Sequence, residues 1–313
     1  MLAYTLRRLL ATIPVMTVVA LLVFSLLYLT PGDPAVVLAG EQATEADVAR
    51  LRSAMALDRP FLERFGIWMG GIARGDLGMS VFSNRPVTEL IVQRLEPTLA
   101  LTFGALLIAV LIAVPLGTLA AWRSGGILDR LVMSFAVLGF SVPVFVLGYL
   151  LIMLFSVYLD VLPVQGYKSI AYGPGPFLKH LALPALSLGI VNAALIARIT
   201  RASMLEVLNQ DYMRTARAKG LSVPRILIRH GLRNAAIPIV TIIGIGFAML
   251  ISGVVVTETV FNIPGLGRLT VDAIMRRDYP VIQGVILVFS LTYVLINLLI
   301  DLSYGLFDPR IRY

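Results

Sequence analysis

The sequence predicts an all-α integral membrane protein with six transmembrane helices and a helical extracytoplasmic insertion between the first and second. Three observations carry this. The 313 residues are 58% hydrophobic and only 14% charged, against roughly 25% charged in soluble domains. Six apolar runs reach spanning length, at about 9–29, 98–121, 131–157, 179–199, 236–260 and 281–307. Lys and Arg gather between alternate runs instead of spreading evenly. The competing reading, a large soluble protein with buried helices, would have to hide all six runs in its core.

The first run holds thirteen Leu, Ile, Val or Phe. At roughly 0.3–0.6 kcal/mol each, its insertion gains about 4–8 kcal/mol. Arg7 and Arg8 precede it, as basic residues precede a signal peptide. The run is longer than a signal h-region, and LTPGDPA follows instead of a small-x-small site, so a retained span is expected. The insertion, 30–97, reads as structured. Thr44 and Asp47 make a capping arrangement ahead of an Ala/Leu/Arg-rich helix to about Leu57. Pro60 opens a second helix, in which Phe61, Phe65, Trp68 and Ile72 recur at helical spacing. That stripe either lies in the outer interface, with Trp68 at headgroup depth, or packs on the spans. A third helix is expected from about Pro86 to Leu95, ahead of the second span. Pro115, Pro143 and Pro184 fall inside later spans, where kinks are tolerated if neighbours satisfy the freed carbonyls. With no repeat and no low-complexity tail, residues 1–313 read as one membrane domain.

Charge sets the expected topology. With the amino end inside, inner segments carry fourteen Lys/Arg and the short outer loops five. The long outer segment 30–97 adds seven, outnumbered by nine acids. Both termini are then cytoplasmic. The net charge of +8 faces an anionic lipid leaflet, not nucleic acid. The inner loop 200–235 is the most informative segment. From Arg198 to Arg233 it holds eight Lys/Arg and two acids. Gly220 interrupts it, Ser222 is placed to cap a new helix, and Pro224 suits a first helical turn. Helix, glycine turn, helix makes a short rigid knuckle for docking on a partner. The plainer reading is a basic loop that only fixes topology.

Chemical motifs are missing. Without cysteine, disulfides and thiol catalysis are excluded. No G-x-x-x-x-G-K-[ST] cradle exists, so the chain does not hydrolyse ATP by itself. His180 and His230 fall on opposite sides of the expected membrane, and no H-E-x-x-H occurs. No catalytic or metal site is expected. Asn192 and Asn297 lie within spans and face protein or a watery path, with helix-to-helix bonding as the bland alternative. Glu258 at the outer end of the fifth span is an entrance candidate or a structural residue. Asp301 reads as a partner for an inner-loop Arg. A secondary carrier or channel would show charged relays or broken helices deep in the membrane. Little of either is visible.

Seven strings, in order, carry a resemblance: MLAYTLRRLLATIPV at the start, TPGDPA at 30–35, RGDLGMS at 74–80, ITRASMLEVLNQDYMRTARAKGL at 199–221, TETVFNIPGLGRL at 257–269, RRDYPVIQGV at 276–285 and DPRIR at 308–312. The chain resembles the dipeptide/oligopeptide permease family of ABC importers, the first permease subunit type. RTARAKGL stands where the general EAA coupling segment stands. Only Ala216 and Gly220 match it; Arg214 replaces the usual Glu and Thr215 the first Ala. The resemblance implies a type I ABC importer permease fold in a bacterial inner membrane. It implies a second homologous permease subunit, two cytoplasmic ATPase subunits holding ATP and Mg, and an extracytoplasmic substrate-binding protein. It places ATPase coupling on Arg214, Thr215, Ala216, Arg217, Ala218, Lys219, Gly220, Leu221 and Pro224. Within that set, Ala216, Gly220 and Leu221 are expected to make the contact, with Arg214, Arg217 and Lys219 orienting it. Asn192, Glu258 and Asn297 are the candidates for the translocation path. Peptide is the implied cargo; nickel, glutathione or another small solute stays open.

Overall fold

The computed structural model describes residues 2–29, 35–36, 43–54 and 57–307. DPRIR and most of TPGDPA, which helped carry the resemblance, lie outside them. Among the described residues the chain is helical, with one isolated β-bridge between Met79 and Pro86. Among the described residues four helices are long and apolar enough to cross a bilayer; two bent pairs raise this to six if each pair counts as one span. The chain divides into two compact units, chiefly Leu95–Arg268 with Leu295–Tyr313, and Leu2–Arg94 with Leu269–Val294.

The second of these units contains α1 (Leu2–Leu29), α2 (Glu45–Ala54) and α3 (Phe61–Ala73). The Thr44–Asp47 capping box forms: the Asp47 N–H donates to Thr44 Oγ1 at 3.3 Å, and the Thr44 N–H to Asp47 Oδ2 at 3.2 Å. Hydrogen bonds from Thr44 hold the Asp47 carboxyl below its ordinary range. Of the two placements open to the aromatic stripe of α3, packing on a span is the one found. Phe61, Phe65 and Trp68 put their ring centroids 5.3, 5.5 and 5.2 Å from that of Phe24 on α1. The buried Arg64 lays its guanidinium over the same ring. The helix expected at 86–95 is present but not separate. It runs straight into the second span as α4, Val87–Trp122, and passes through Pro97 without ending. A tight turn precedes α4. Within it, the Ser80 N–H donates to the Arg85 carbonyl, and Ser80 Oγ donates to the buried Asp278 at 2.5 Å.

The larger unit holds the rest of α4, then α5 (Ile127–Ser141), α6 (Val144–Ile152) and α7 (Pro174–Leu208). After these come α8 (Asp211–Ala218), α9 (Val223–Arg225) and α10 (Ala236–Val260). Of the two helices that follow, α11 (Leu266–Arg276) and α12 (Tyr279–Phe307), only Leu266–Arg268 and Leu295–Phe307 belong to this larger unit. Through its core of Leu, Ile and Phe side chains runs a seam of small residues. Ala105, Ala109, Ala113, Gly117 and Ala121 repeat every four positions on α4; Ala185, Gly189, Ala193 and Ala197 do so on α7. The alanines are buried. A Cβ added at Gly117 would stand 2.6 Å from the Ala197 carbonyl oxygen, so the backbones touch there. In lipid, where no hydrophobic effect draws helices together, such close approach supplies the dispersion contacts that do.

The expected third span, 131–157, is not one straight helix. Its two parts meet at 102°. Val142, the residue before Pro143, is extended at φ −88°, ψ 123°, as steric clash with a following proline ring favours. Pro143 therefore breaks the helix where a kink was expected. Beyond α6 the chain forms a π-helical turn, Met153–Tyr158. The following loop is pinned by Glu96, which accepts from Tyr167 Oη at 3.1 Å and from the Ile170 N–H at 3.2 Å.

Candidate functional site

The knuckle between α7 and α10 has the helix–turn–helix form. α8 ends in a Schellman turn: the Gly220 N–H donates to the Arg217 carbonyl at 2.9 Å, and the Leu221 N–H reaches back to the Ala216 carbonyl at 3.4 Å. That geometry needs a left-handed residue at its fifth position, and Gly220 supplies φ +73°. Ser222 sits extended at the start of α9, but its side chain accepts no capping bond; Pro224 lies in the first turn. A π-helical turn, Ile226–Leu232, follows, and the chain enters α10 at a 69° bend.

Two of the expected contact residues face inward. Ala216 is buried in its own chain. Leu221 is half-buried against a core made by Met204, Leu208, Met213, Ile226, Leu227 and Ile239. The reason is amphipathic spacing: Met213 and Ala216 are three apart on α8 and share its inner face. Leu221 follows the turn at the position that folds back onto the helix in a Schellman motif. The exposed side carries Arg214, Thr215, Arg217, Ala218, Lys219 and Gly220, with Pro224 and Ile228 beyond the turn. Arg217 stacks its guanidinium 5.0 Å above the Trp122 ring. Arg214 lies 3.6 Å from Asp211, an exposed pair that adds little. Desolvation raises the Tyr212 phenol above its ordinary pKa, partly offset by a hydrogen bond with Asn234. It stays a neutral hydrogen-bonding group.

Sequence reasoning missed an ion pair that ties this region to α5. Asp129 is buried at the start of α5 and is gripped by the Arg201 fork, Nε on one oxygen and Nη2 on the other at 2.7 Å. Its second oxygen also accepts the Gly125 N–H at 2.9 Å. The partners are 72 residues apart. The signal available in sequence was a lone acid in a short basic loop, which names no partner.

The path candidates separate. Asn192 is buried on α7, donates from its amide to the Leu188 carbonyl at 3.0 Å, and lines a recess of about 300 Å³ at the α5–α6 break. Glu258 has no exposed surface. It accepts from Thr98 Oγ1 at 2.6 Å and from the Arg268 N–H at 2.9 Å, while Thr98 Oγ1 accepts the Leu266 N–H at 2.8 Å. In this conformation Glu258 closes a polar knot at the start of α11 and shows no carboxylate to a passing solute. Its burial follows from Gly265 and Gly267: a Cβ on either would lie within 3.0 Å of the carboxylate. Asn297 is half-buried on α12. Neither Glu258 nor Asn297 lines the recess that holds Asn192.

Long apolar helices packed through small residues, with a basic knuckle between two of them, define a membrane-embedded transport subunit. Residues 113–313 match the family of binding-protein-dependent transport system inner membrane components, and residues 1–102 match that family's amino-terminal membrane component. The chain belongs to this family of ABC importer permeases. It is 54% identical over 310 residues to a probable peptide ABC transporter permease protein, y4tP, of Sinorhizobium fredii, covering 99% of each chain. It is 46% identical over 314 residues to the glutathione transport system permease protein GsiC of Escherichia coli K12, covering all of both. In fold it is similar to the inward-facing MetNI methionine ABC transporter, with a TM-score of 0.59 and 22% identity over 70% of this chain and 96% of that one.

Proposed function

We propose that this chain is the membrane-spanning subunit of an ATP-driven importer that takes up peptides delivered by an extracytoplasmic binding protein. The observation that carries the reading is the 54% identity, over 99% of both chains, to a probable peptide permease. The GsiC relatives point to glutathione, itself a short peptide, so both relatives favour cargo with amide bonds.

In this reading a second homologous permease completes the pathway. Two cytoplasmic ATPases, holding ATP and Mg, dock on the exposed knuckle side. Both termini and the knuckle lie in the cytoplasm, as the charge count favours. Arg214, Arg217 and Lys219 orient the docking, and Ala218, Gly220 and Pro224 offer small or flat surface for close approach. Closing the ATPases pushes α8 against the core around Met204 and Met213. The movement passes along α7 and, through Arg201 and Asp129, into α5. The chain's task is that of a two-state element whose balance nucleotide and cargo shift. Reconstitution of the full complex in liposomes tests this. ATP-dependent uptake of labelled di- and tripeptides, lost without the binding protein, is the expected result. Uptake that needs no ATPase would overturn it.

A further inference from the structure

The bend between α5 and α6 leaves backbone groups without helical partners. Pro143 has no N–H for the Gly139 carbonyl, and Val144–Val146 open α6 with N–H groups that no earlier turn serves. The bonds that do form flank the break: the Val142 N–H to the Leu138 carbonyl at 3.1 Å, and the Leu147 N–H to the Pro143 carbonyl at 3.2 Å. In a span, a broken helix is tolerated where it is buried in protein or lines a watery cavity. A recess of about 300 Å³ lies at this break. Its walls include Phe140, Val144, Leu195 and Met249, and among the described residues Asn192 is its single polar side chain.

Asn192 is suited to one class of ligand. An amide side chain offers two donors and an acceptor. One donor is spent on the Leu188 carbonyl at 3.0 Å, which fixes the rotamer. The remaining donor and acceptor match the N–H and C=O of a peptide group. Among the described residues no ionisable side chain lines the recess, so a charged group entering it would be desolvated without compensation. Phe140 and Met249 are 62% and 49% exposed and offer adaptable apolar surface.

We infer that this recess is a transient binding site for the peptide main chain of the cargo. Asn192 pairs with one peptide amide, and the apolar walls take the adjoining side chain without selecting it. The inference rests on the reading of the chain as a peptide importer. One amide against apolar walls holds cargo weakly, which suits passage better than storage.

The test uses the complete importer in liposomes with radiolabelled trialanine. Asn192→Leu keeps the branching of the side chain and removes the pairing group; uptake per assembled complex is expected to fall about tenfold, with assembly checked by co-purification of the ATPases. Independently, a benzophenone amino acid placed at Phe140 is expected to form an adduct with the labelled peptide during turnover, and this decides the matter if the leucine variant does not assemble. Uptake within twofold of wild type in the assembled variant would overturn the site. So would an adduct with the second permease in place of peptide, because the recess would then be a protein interface. If the unmodified complex does not import trialanine with ATP, the importer reading itself fails, and that outcome is separate from failure of the recess alone.

Discussion

The turns at Gly220 and Asn262 share one hydrogen-bond pattern and differ in everything around it. At the first, the Gly220 and Leu221 N–H groups reach the Arg217 and Ala216 carbonyls; at the second, the Asn262 and Ile263 N–H groups reach the Thr259 and Glu258 carbonyls. Both use a left-handed residue, φ +73° at Gly220 and +51° at Asn262. Around Gly220 a Cβ would meet nothing within 4 Å. Around Asn262, Phe261, Ile263 and Glu258 are all at most 2% exposed. One turn presents a surface and the other locks a joint. Glycine at the exposed turn leaves that surface without a side chain. Asparagine, itself exposed beside that buried joint, tolerates the left-handed backbone, and its Oδ1 accepts from the Arg268 guanidinium.

The contrast breaks most sharply at Glu258. Glu258→Ala takes away the carboxylate that accepts from the Arg268 N–H and the Thr98 hydroxyl and leaves a void, and should cost about 3–5 kcal/mol. Thermal unfolding in detergent reads this as a large drop in midpoint. A midpoint unchanged from wild type would mean the joint is not locked. Next is Arg201→Ala, which leaves the Asp129 carboxylate buried and without its fork, for an expected loss of about 2–4 kcal/mol. A double-mutant cycle with Asp129→Asn should show strong coupling; additive effects would deny the pair a shared role.

Smaller effects sharpen the comparison. Gly220→Val puts a branched residue in left-handed backbone at about 1–2 kcal/mol. Insertion should survive while transport uncouples from ATP hydrolysis, read as uptake against phosphate release in the reconstituted complex. Normal values for both would make the knuckle only a topological loop. Asn262→Gly relieves the same backbone strain but gives up the link to Arg268, so stability should move by less than about 1 kcal/mol. The least is Arg217→Ala, which removes one stacked cation from Trp122 and should shift stability by about 0.5–1 kcal/mol.

The knuckle was legible because Gly220 falls between two helix-forming stretches and turn chemistry is local. Which way its residues face was less so. Ala216 is small enough for either a partner surface or an internal one, and Leu221 turns inward only because the Schellman geometry folds it back. The apolar run 236–260 ends where α10 does, just before the left-handed Asn262, whereas Arg277 gave no sign in sequence of its φ of +56° because it is not glycine. Pro97 and Pro143 gave opposite results from the same residue type: α4 continues through the first, and the chain breaks at the second. Sequence periodicity cannot separate these cases, since the outcome depends on what packs beside the freed carbonyl. The Asp129–Arg201 pair lay hidden for a related reason, being a contact across 72 residues with no local pattern.

The unbroken length of α7 has a geometric consequence. Its 35 residues make a rod of about 52 Å at 1.5 Å per residue. Pivoted at its knuckle end, a tilt of about 5° would carry the far end about 4–5 Å, by the same helix rise. That displacement exceeds the width of a water molecule. A movement at Met204 too slight to break any backbone hydrogen bond would therefore arrive at Pro174 as a step large enough to open or shut a passage.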